Sequence, residues 1–350
     1  MIKLLHSADW HLDAPLQLGG ALRDELAKIP EKVVSLCQEQ GCQMLLLSGD
    51  LFDGVPTPDT VHNLKRCLGN AGVPVFIAPG NHDHMGVASV WLTESWPENV
   101  HVFTKNVVES VAIPELDCRV YGAGFTSMDC DGLLEGFTAE GTENYKIGVF
   151  HGDPTQVTSP YCPITTAQVQ FSNLDYLALG HIHKGGSFRA GKTLCAWPGC
   201  PMGRGYDEEG EKGVLVVTLE EAATTRFVPL DTPRFYDLEV DIGDDAAAAL
   251  ASVLPPVGNN DYYRITFVGA GDAPDLDALK KPEFPNLVLR DKTVPLVDIW
   301  SSAGEDTFDG MYFGQLQKAM EDADENTKRQ IRLAAQISRK ILEGQEVVLP

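Results

Sequence analysis

Long apolar runs are missing from this chain. No stretch approaches the ~18 apolar residues of a membrane span, and the opening Met1-Ile2-Lys3-Leu4-Leu5-His6 is too short an apolar run for a secretory signal core. The expectation is a soluble, cytoplasmic protein with no membrane partner. Paired cysteine motifs are missing too. Cys37, Cys42, Cys67, Cys118, Cys130, Cys162, Cys195 and Cys200 include no C-x-x-C and no zinc-knuckle spacing, which predicts reduced, mostly buried thiols. Positive charge is scarce: 27 lysines and arginines stand against 50 aspartates and glutamates, a formal charge of −23. Acidic residues outnumber basic ones on both sides of Asp231, which excludes a basic nucleic-acid arm. So acidic a surface repels polyanions, and a phosphate-bearing substrate has to be drawn in by local positive charge such as metal ions. Internal repeats and low-complexity tracts are also lacking.

What is there reads as a globular α/β chain. Apolar residues make up 43% and charged residues 22%, and at about 150 residues per domain the length suggests two domains and a small third. Apolar runs at 2–5, 44–47, 75–77, 146–150 and 176–179 predict strands, each ending in a polar cluster. Between them, 23–40 and 59–70 have helical periodicity, with Gly41 and Gly72 as stops. Polar clusters at strand ends are where open sheets place their sites. A strand pair, 193–197 and 213–219, completes the sheet system before Asp231-Thr232-Pro233. Strands at 236–240, 262–268 and 287–290, with helices at 244–254 and near 275–280, predict a small α+β module. An acidic segment from Glu305 through Asp322 to Glu325 precedes a final helix, 326–342, with Ile331, Ala334, Ala335, Ile337, Ile341 and Leu342 on one stripe. That stripe suits packing on its own chain first and a docking partner second. The domain division is 1–232, 233–298 and 299–350.

Five clusters carry the chemistry: Asp9-Trp10-His11, Gly49-Asp50-Leu51-Phe52-Asp53, Gly80-Asn81-His82-Asp83, His151-Gly152-Asp153 and Gly180-His181-Ile182-His183. Asp9 and His11, two apart on an extended strand end, can point to one side, and His181 and His183 repeat the arrangement. The glycines before Asp50, Asn81 and His181 permit tight turns. Any one of these residues has a structural explanation as a cap, a turn or a hydrogen-bonded histidine. Asp9, His11, Asp50, Asn81, His151, His181 and His183 together read as metal ligands, enough for two ions sharing a carboxylate. Mixed carboxylate, amide and imidazole donors suit manganese, iron or zinc better than calcium or a thiolate-bound structural zinc. His6, His62, His84 and His101 keep the structural reading. No acid lies between His183 and Asp207, while Lys184, Arg189, Lys192 and Arg204 do. Arg189, Lys192 and Arg204 are therefore expected to bind substrate phosphate.

These motifs, in this order, resemble the calcineurin-like metallophosphoesterase superfamily and, within it, the SbcD/YhaO-type DNA repair exonuclease branch. The branch-level likeness rests on Ser7-Ala8-Asp9-Trp10-His11-Leu12, Gly49-Asp50-Leu51-Phe52-Asp53, Gly180-His181-Ile182-His183 and Pro198-Gly199. The chain departs from many bacterial nuclease subunits of that branch in carrying Asp13 where they carry glycine. The resemblance implies a double β-sheet sandwich flanked by helices, a small α+β capping domain, two Mn2+ ions and hydrolysis of DNA phosphodiesters by in-line attack of hydroxide. Asp9, His11, Asp50 and His183 would hold one ion and Asp50, Asn81, His151 and His181 the other. His82 would protonate the leaving oxygen, with Asp83 orienting its ring. Implied partners are DNA, an SbcC-type coiled-coil ATPase subunit and a second copy in a homodimer. The rival readings are hydrolysis of a nucleotide or phosphoprotein, and a catalytically silent scaffold.

Overall fold

The computed structural model describes residues 1–16, 19–243, 245–294, 298–321 and 323–344; Asp244 and Asp322, read above as parts of a helix and an acidic segment, lie outside them. The chain runs β1 (Ile2–Ser7), α1 (Gly20–Leu26), α2 (Ile29–Glu39), β2 (Leu45–Leu47), α3 (Pro58–Gly69), β3 (Val75–Ile77), α4 (Val90–Thr93) and β4 (Val100–Val102). It continues with β5 (Glu109–Ile113), β6 (Cys118–Gly122), β7 (Tyr145–His151), α5 (Thr166–Phe171), β8 (Tyr176–Gly180), β9 (Lys184–Ala190), β10 (Thr193–Gly199), β11 (Gly213–Leu219) and β12 (Ala223–Pro229). Two six-stranded sheets result, in the orders β12-β11-β1-β2-β3-β4 and β5-β6-β7-β8-β10-β9. Strands β1 to β4 are parallel to one another, as are β6, β7, β8 and β10.

The continuous apolar runs follow from burial on both faces of each sheet. Ile2, Leu4, Met44, Leu46 and Phe76 pack against Val120, Ile147, Val149, Tyr176 and Ala178 in a core between the sheets. Their sequence neighbours Leu5, Leu45, Leu47, Val75 and Ile77 point the other way, onto Leu22, Ile29 and Val33 of α1 and α2 and Val61, Leu64 and Leu68 of α3. On the far side of the second sheet, Phe150, Leu177, Leu179 and Cys195 pack with Val169 of α5. The architecture is thus the expected α/β double-sheet sandwich flanked by helices, each buried Leu or Ile contributing roughly 1.5–3 kcal/mol.

Four local expectations change. The helix expected at 23–40 is broken at Ala27–Lys28, because Pro30 cannot donate to a carbonyl four residues back and clashes with it. The strands at 193–199 and 213–219 belong to different sheets: β10 pairs with β8 and β9, and β11 with β1 and β12. Residues near 275–280 form turns, in which Asp275 Oδ1 accepts from Asp277 N and Ala278 N instead of capping a helix. Beyond α6 (Ala246–Val253), the acidic segment contains a helix, α7 (Phe308–Glu321), whose Phe313 is buried.

The chain divides into two compact units, Met1–Asp237 with Asn259–Arg264 and Glu283–Leu287, and Leu238–Gly258 with Ile265–Pro282 and Val288–Pro350. In the second, α7 packs against α8 (Glu325–Leu342). Ala335 and Phe313 share a small core with Ile299, Arg339 lies 4.2 Å above the Phe313 ring, and Tyr312 Oη and Ser338 Oγ are 2.8 Å apart. Of the apolar stripe of α8, Ala335 is buried against its own chain, while Ala334, Ile341 and Leu342 are exposed. All eight cysteines are free thiols and all but Cys130 are buried. Among the described residues no helix is long and apolar enough to cross a membrane.

Candidate metal centre

The seven expected ligands gather at the C-terminal ends of parallel strands. Asp9 and His11 follow β1, Asp50 follows β2, Asn81 follows β3, His151 closes β7, and His181 and His183 follow β8. The route differs from the extended one expected from sequence. Asp9, His11, Asp50 and His181 have φ of 56°, 48°, 52° and 94°. A left-handed backbone is costly for a residue with a Cβ, and such strain persists where surrounding contacts over-determine it. Here Asp9 N donates to Gly49 O at 3.1 Å and His11 N to Asp50 O at 3.0 Å, fastening the two loops together. Gly49 itself has φ 84°, and a Cβ on it would stand 2.6 Å from His151 Nδ1. At Gly80 any Cβ would run into Asp50 Oδ1. Close approach, more than turning, explains this second glycine.

Donor atoms of Asp9, His11 and His183 lie within 4.8 Å of one another, as do those of Asp9, Asp50 and His151. Asp50 Oδ2 stands between the two groups, 3.8 Å from His11 Nε2 and 3.4 Å from His151 Nε2. Asp9, His11, Asp50, Asn81 and His151 are buried. His181 belongs to neither group; its ring centroid is 5.3 Å from that of His151, and its backbone N–H donates to Asp9 Oδ1 at 2.9 Å.

The hydrogen bonds set how these donor atoms face one another. His151 Nδ1 donates to Ser48 O at 2.9 Å, which leaves the Nε2 lone pair facing Asn81 Oδ1 at 2.9 Å and the Asp50 carboxylate. His183 Nδ1 donates to Glu208 Oε1 at 2.6 Å, which turns its Nε2 lone pair toward His11 Nε2 at 3.1 Å. Asp9 Oδ2 and His11 Nδ1 are buried and lack hydrogen-bond partners. With these rings neutral, the Nε2 atoms of His151 and His183 face Asn81 Oδ1 and His11 Nε2 while Asp9 Oδ2 stays unanswered, an arrangement that positive charge, a ring proton or a bound cation, relieves. Burial works against protonating His151, yet the charge and hydrogen bond of Asp50, with the Asp9 charge and the Ser48 carbonyl, together outweigh it and push the ring up to about 9. Burial likewise opposes ionising Asp50, but His151 holds its carboxyl well below the usual range. Nitrogen and oxygen donors in this mixture fit a pair of divalent transition ions.

His82 stands at the rim with a half-exposed ring. Its partner corrects the expectation: Asp53 Oδ1, not Asp83, accepts from His82 Nδ1 at 2.6 Å. Asp83 instead accepts from the backbone N–H groups of Gly80 (2.7 Å) and Leu51 (2.8 Å), tying the Asn81 loop to the Asp50 loop. The three expected substrate-binding residues also part company. Arg204 is at the site, 2.8 Å from Glu208 Oε1 and 3.2 Å from His183 Nδ1. Arg189 donates to Lys192 O and Ala223 O, and Lys192 pairs with Asp175 at 3.0 Å. Arg189 lies six residues along β9 from His183, about 20 Å at strand rise. Sequence reasoning missed Asp53 and Glu208 as ring partners. Asp53 stood inside a quoted cluster, whereas nothing set Glu208 apart from the adjacent acids Asp207 and Glu209. Asp13, the departure from the branch pattern, has φ 65° and accepts from Thr57 N (2.7 Å) and Thr60 Oγ1 (2.8 Å) at the start of α3.

A family model described as calcineurin-like phosphoesterase matches residues 2–185. The chain belongs to that family. The phosphoesterase is 30% identical over 238 residues to the metallophosphoesterase YhaO of Bacillus subtilis, which covers 62% of this chain and 57% of YhaO. It therefore spans little more than half the length of that relative. Among solved structures it is similar to the protein TT1561 of Thermus thermophilus, at 16% identity and a TM-score of 0.42 over 65% of this chain and 98% of that one. A dimetal phosphatase from Danio rerio matches at 12% identity and a TM-score of 0.41, over 65% and 97%.

Proposed function

We propose that this phosphoesterase is a metal-dependent hydrolase that cleaves DNA phosphodiesters with two Mn2+ ions, in the manner of the SbcD-type branch. The observation that carries the reading is the buried convergence of carboxylate, amide and imidazole donor atoms, among which Asp9 Oδ2 and His11 Nδ1 have no hydrogen-bond partner. Asp9, His11, Asp50 and His183 would hold one ion, and Asp50, Asn81, His151 and His181 the other. Such a pair, when bound, neutralises charge on the phosphoryl oxygens and lowers the pKa of water. The chain's own residues supply the rest. Asp53 holds His82 by Nδ1, so in the imidazolium form the Nε2–H is the proton to be handed to the leaving oxygen, leaving the ring neutral with its Nδ1–H on Asp53. Glu208 fixes the tautomer and tilt of His183. Arg204 adds a fixed positive charge beside that histidine for a non-bridging phosphate oxygen.

A charge of −23 is poor for unaided DNA binding. An SbcC-type ATPase subunit in the cytoplasm would supply that affinity, and a homodimer remains part of the same reading. One observation favours a nucleotide or phosphoprotein substrate instead: Arg189 and Lys192 are bonded to their own chain. End-labelled single- and double-stranded DNA, incubated with the protein in Mn2+ beside bis-p-nitrophenyl phosphate, separates the two. Shortened DNA supports the proposal. Hydrolysis of the generic diester with DNA left intact overturns it in favour of the smaller substrate.

A further inference from the structure

We infer that Tyr161 is a positioning residue whose ring holds the imidazole of His181 for the second ion, an assignment that rests on the two-ion reading above and is independent of whether DNA or a smaller ester is cleaved. The expected histidine ligands differ in what fixes their rings. His151 is held through Nδ1 by Ser48 O at 2.9 Å, and His183 through Nδ1 by Glu208 Oε1 at 2.6 Å. Among the described residues the His181 ring has no hydrogen-bond partner; only its backbone N–H is engaged, by Asp9 Oδ1. His181 is also the one expected histidine ligand outside both assembled donor groups. A ligating imidazole needs an outer partner to keep its lone pair on the metal, and here packing has to supply it.

The His181 ring lies between two others. His151 meets it edge-on at 5.3 Å between centroids, and Tyr161 meets it at 4.9 Å with the planes tilted by 46°. His151 is itself assigned to the same ion, so Tyr161 is the aromatic ring outside the ligand set that constrains His181. An imidazole that gives its lone pair to a cation takes on positive charge, and an aromatic ring within about 6 Å attracts such a charge. The backbone around Tyr161 is pinned from two directions. Asp153 N donates to Tyr161 O at 3.1 Å, and Ile164 N donates to Asp153 O at 2.9 Å. From the other side, Cys130 N donates to Pro160 O at 2.9 Å and Cys162 N to Cys130 O at 2.7 Å. Cys162 is held at φ 51° by these bonds, a conformation that persists only where its surroundings over-determine it. The buried Asp153 carboxylate closes the turn by accepting from Thr155 N at 2.7 Å. The strap 153–164 is thus hung from the strand that ends in His151 and presents its tyrosine to His181.

Titration of the full chain with Mn2+, reading the free ion by electron paramagnetic resonance, tests the assignment. The parent is expected to take up two ions per chain. Tyr161→Ala should weaken one of the two steps by about 10–100-fold, the range for loss of a ligand's supporting partner, and leave the other unchanged. Tyr161→Phe, which keeps the ring, should restore parent affinity. Tyr161→Leu, which fills the space without a flat ring, should weaken the same step and serves if the alanine variant fails to fold. Placed on His181→Ala, Tyr161→Ala should change neither step further, because contacting residues that act as a unit are not additive. Equal weakening of both steps, parent-like affinity in the alanine and leucine variants, failure of phenylalanine to restore binding, or an additional loss on the His181→Ala background overturns the assignment. Uptake of two ions by the parent with Tyr161 variants that follow it leaves the two-ion reading standing, whereas a parent that takes up fewer than two removes both.

Discussion

His6 and His151 are both fully buried, and they meet opposite demands. His6 sits between two hydroxyls, with Nδ1 2.8 Å from Tyr176 Oη and Nε2 3.0 Å from Ser48 Oγ. Hydroxyls rotate to donate or accept as required, so the neutral ring is satisfied and burial pushes its pKa down to about 3. His151 is fixed at one nitrogen by a carbonyl and faces an amide oxygen and a carboxylate with the other, and there Asp50, Asp9 and the Ser48 carbonyl together override burial. Burial alone therefore does not mark a functional histidine. What marks it is whether the atoms opposite its lone pair can answer that lone pair without help from outside the chain.

Asp50→Asn is the most severe way to break this contrast. It removes the carboxylate that stands between the two donor groups, so both ions should be lost together. Turnover should then fall by more than the ~10²–10⁴ of a missing proton-transfer group. Metal analysis of the purified variant checks it, and retention of a full pair would refute the bridging position. His82→Ala comes next: metal content should stay near that of the parent while turnover drops by about 10²–10⁴. Asp53→Asn should lower turnover in the same direction but less, because the ring remains and only its orientation is loosened. Glu208→Gln tests the second coordination layer. Losing a carboxylate partner of a ligating histidine typically costs about 10–100-fold in metal affinity, read here as weaker competition against a chelator.

Much of the site was legible because its residues come in short clusters at the ends of apolar runs, and a run such as Met44–Leu47 stays apolar only when both faces are covered. Legibility ended where the answer depended on which of two nearby groups reaches an atom in space. Asp53 lies three residues from Asp50 and Asp83 two from Asn81, and only the fold gives one to a ring and the other to backbone N–H groups. The basic residues after His183 misled for a related reason. A strand carries charge away from its starting point at about 3.3 Å per residue, so adjacency to a ligand in sequence did not become adjacency in the structure. Half-exposed edge strands such as β9 and β12 alternate too weakly, and contain too much glycine or threonine, to stand out as apolar runs.

The His6 half of the contrast predicts a pH dependence of stability. With a folded pKa near 3 and an unfolded value of 6.5, the unfolded chain binds a proton that the folded chain does not between those limits. Stability from this group is thus complete above about pH 6.5 and declines as the pH falls, at up to about 1.4 kcal/mol per unit. Between pH 6.5 and 5 that amounts to roughly 2 kcal/mol. His6→Gln keeps hydrogen-bonding capacity toward both hydroxyls without titrating, so its urea-unfolding free energy should fall less steeply over the same interval. Equal slopes for parent and variant would place the protonation elsewhere.

The smallest effect is expected where the sequence suggested a substrate contact and the structure gives an internal one. Lys192 is half-exposed and paired with Asp175, an interaction largely screened by solvent. Lys192→Ala should change stability by no more than about 0.5 kcal/mol. It should also leave KM for a phosphodiester substrate where it was, because the ammonium lies at the far end of the β9–β10 hairpin from His183. Arg204→Ala supplies the contrast, since its guanidinium is 3.2 Å from His183 Nδ1 and its loss should raise KM. Equal KM increases for both variants would mean that the substrate runs the length of the hairpin and would restore Arg189 and Lys192 to the binding surface.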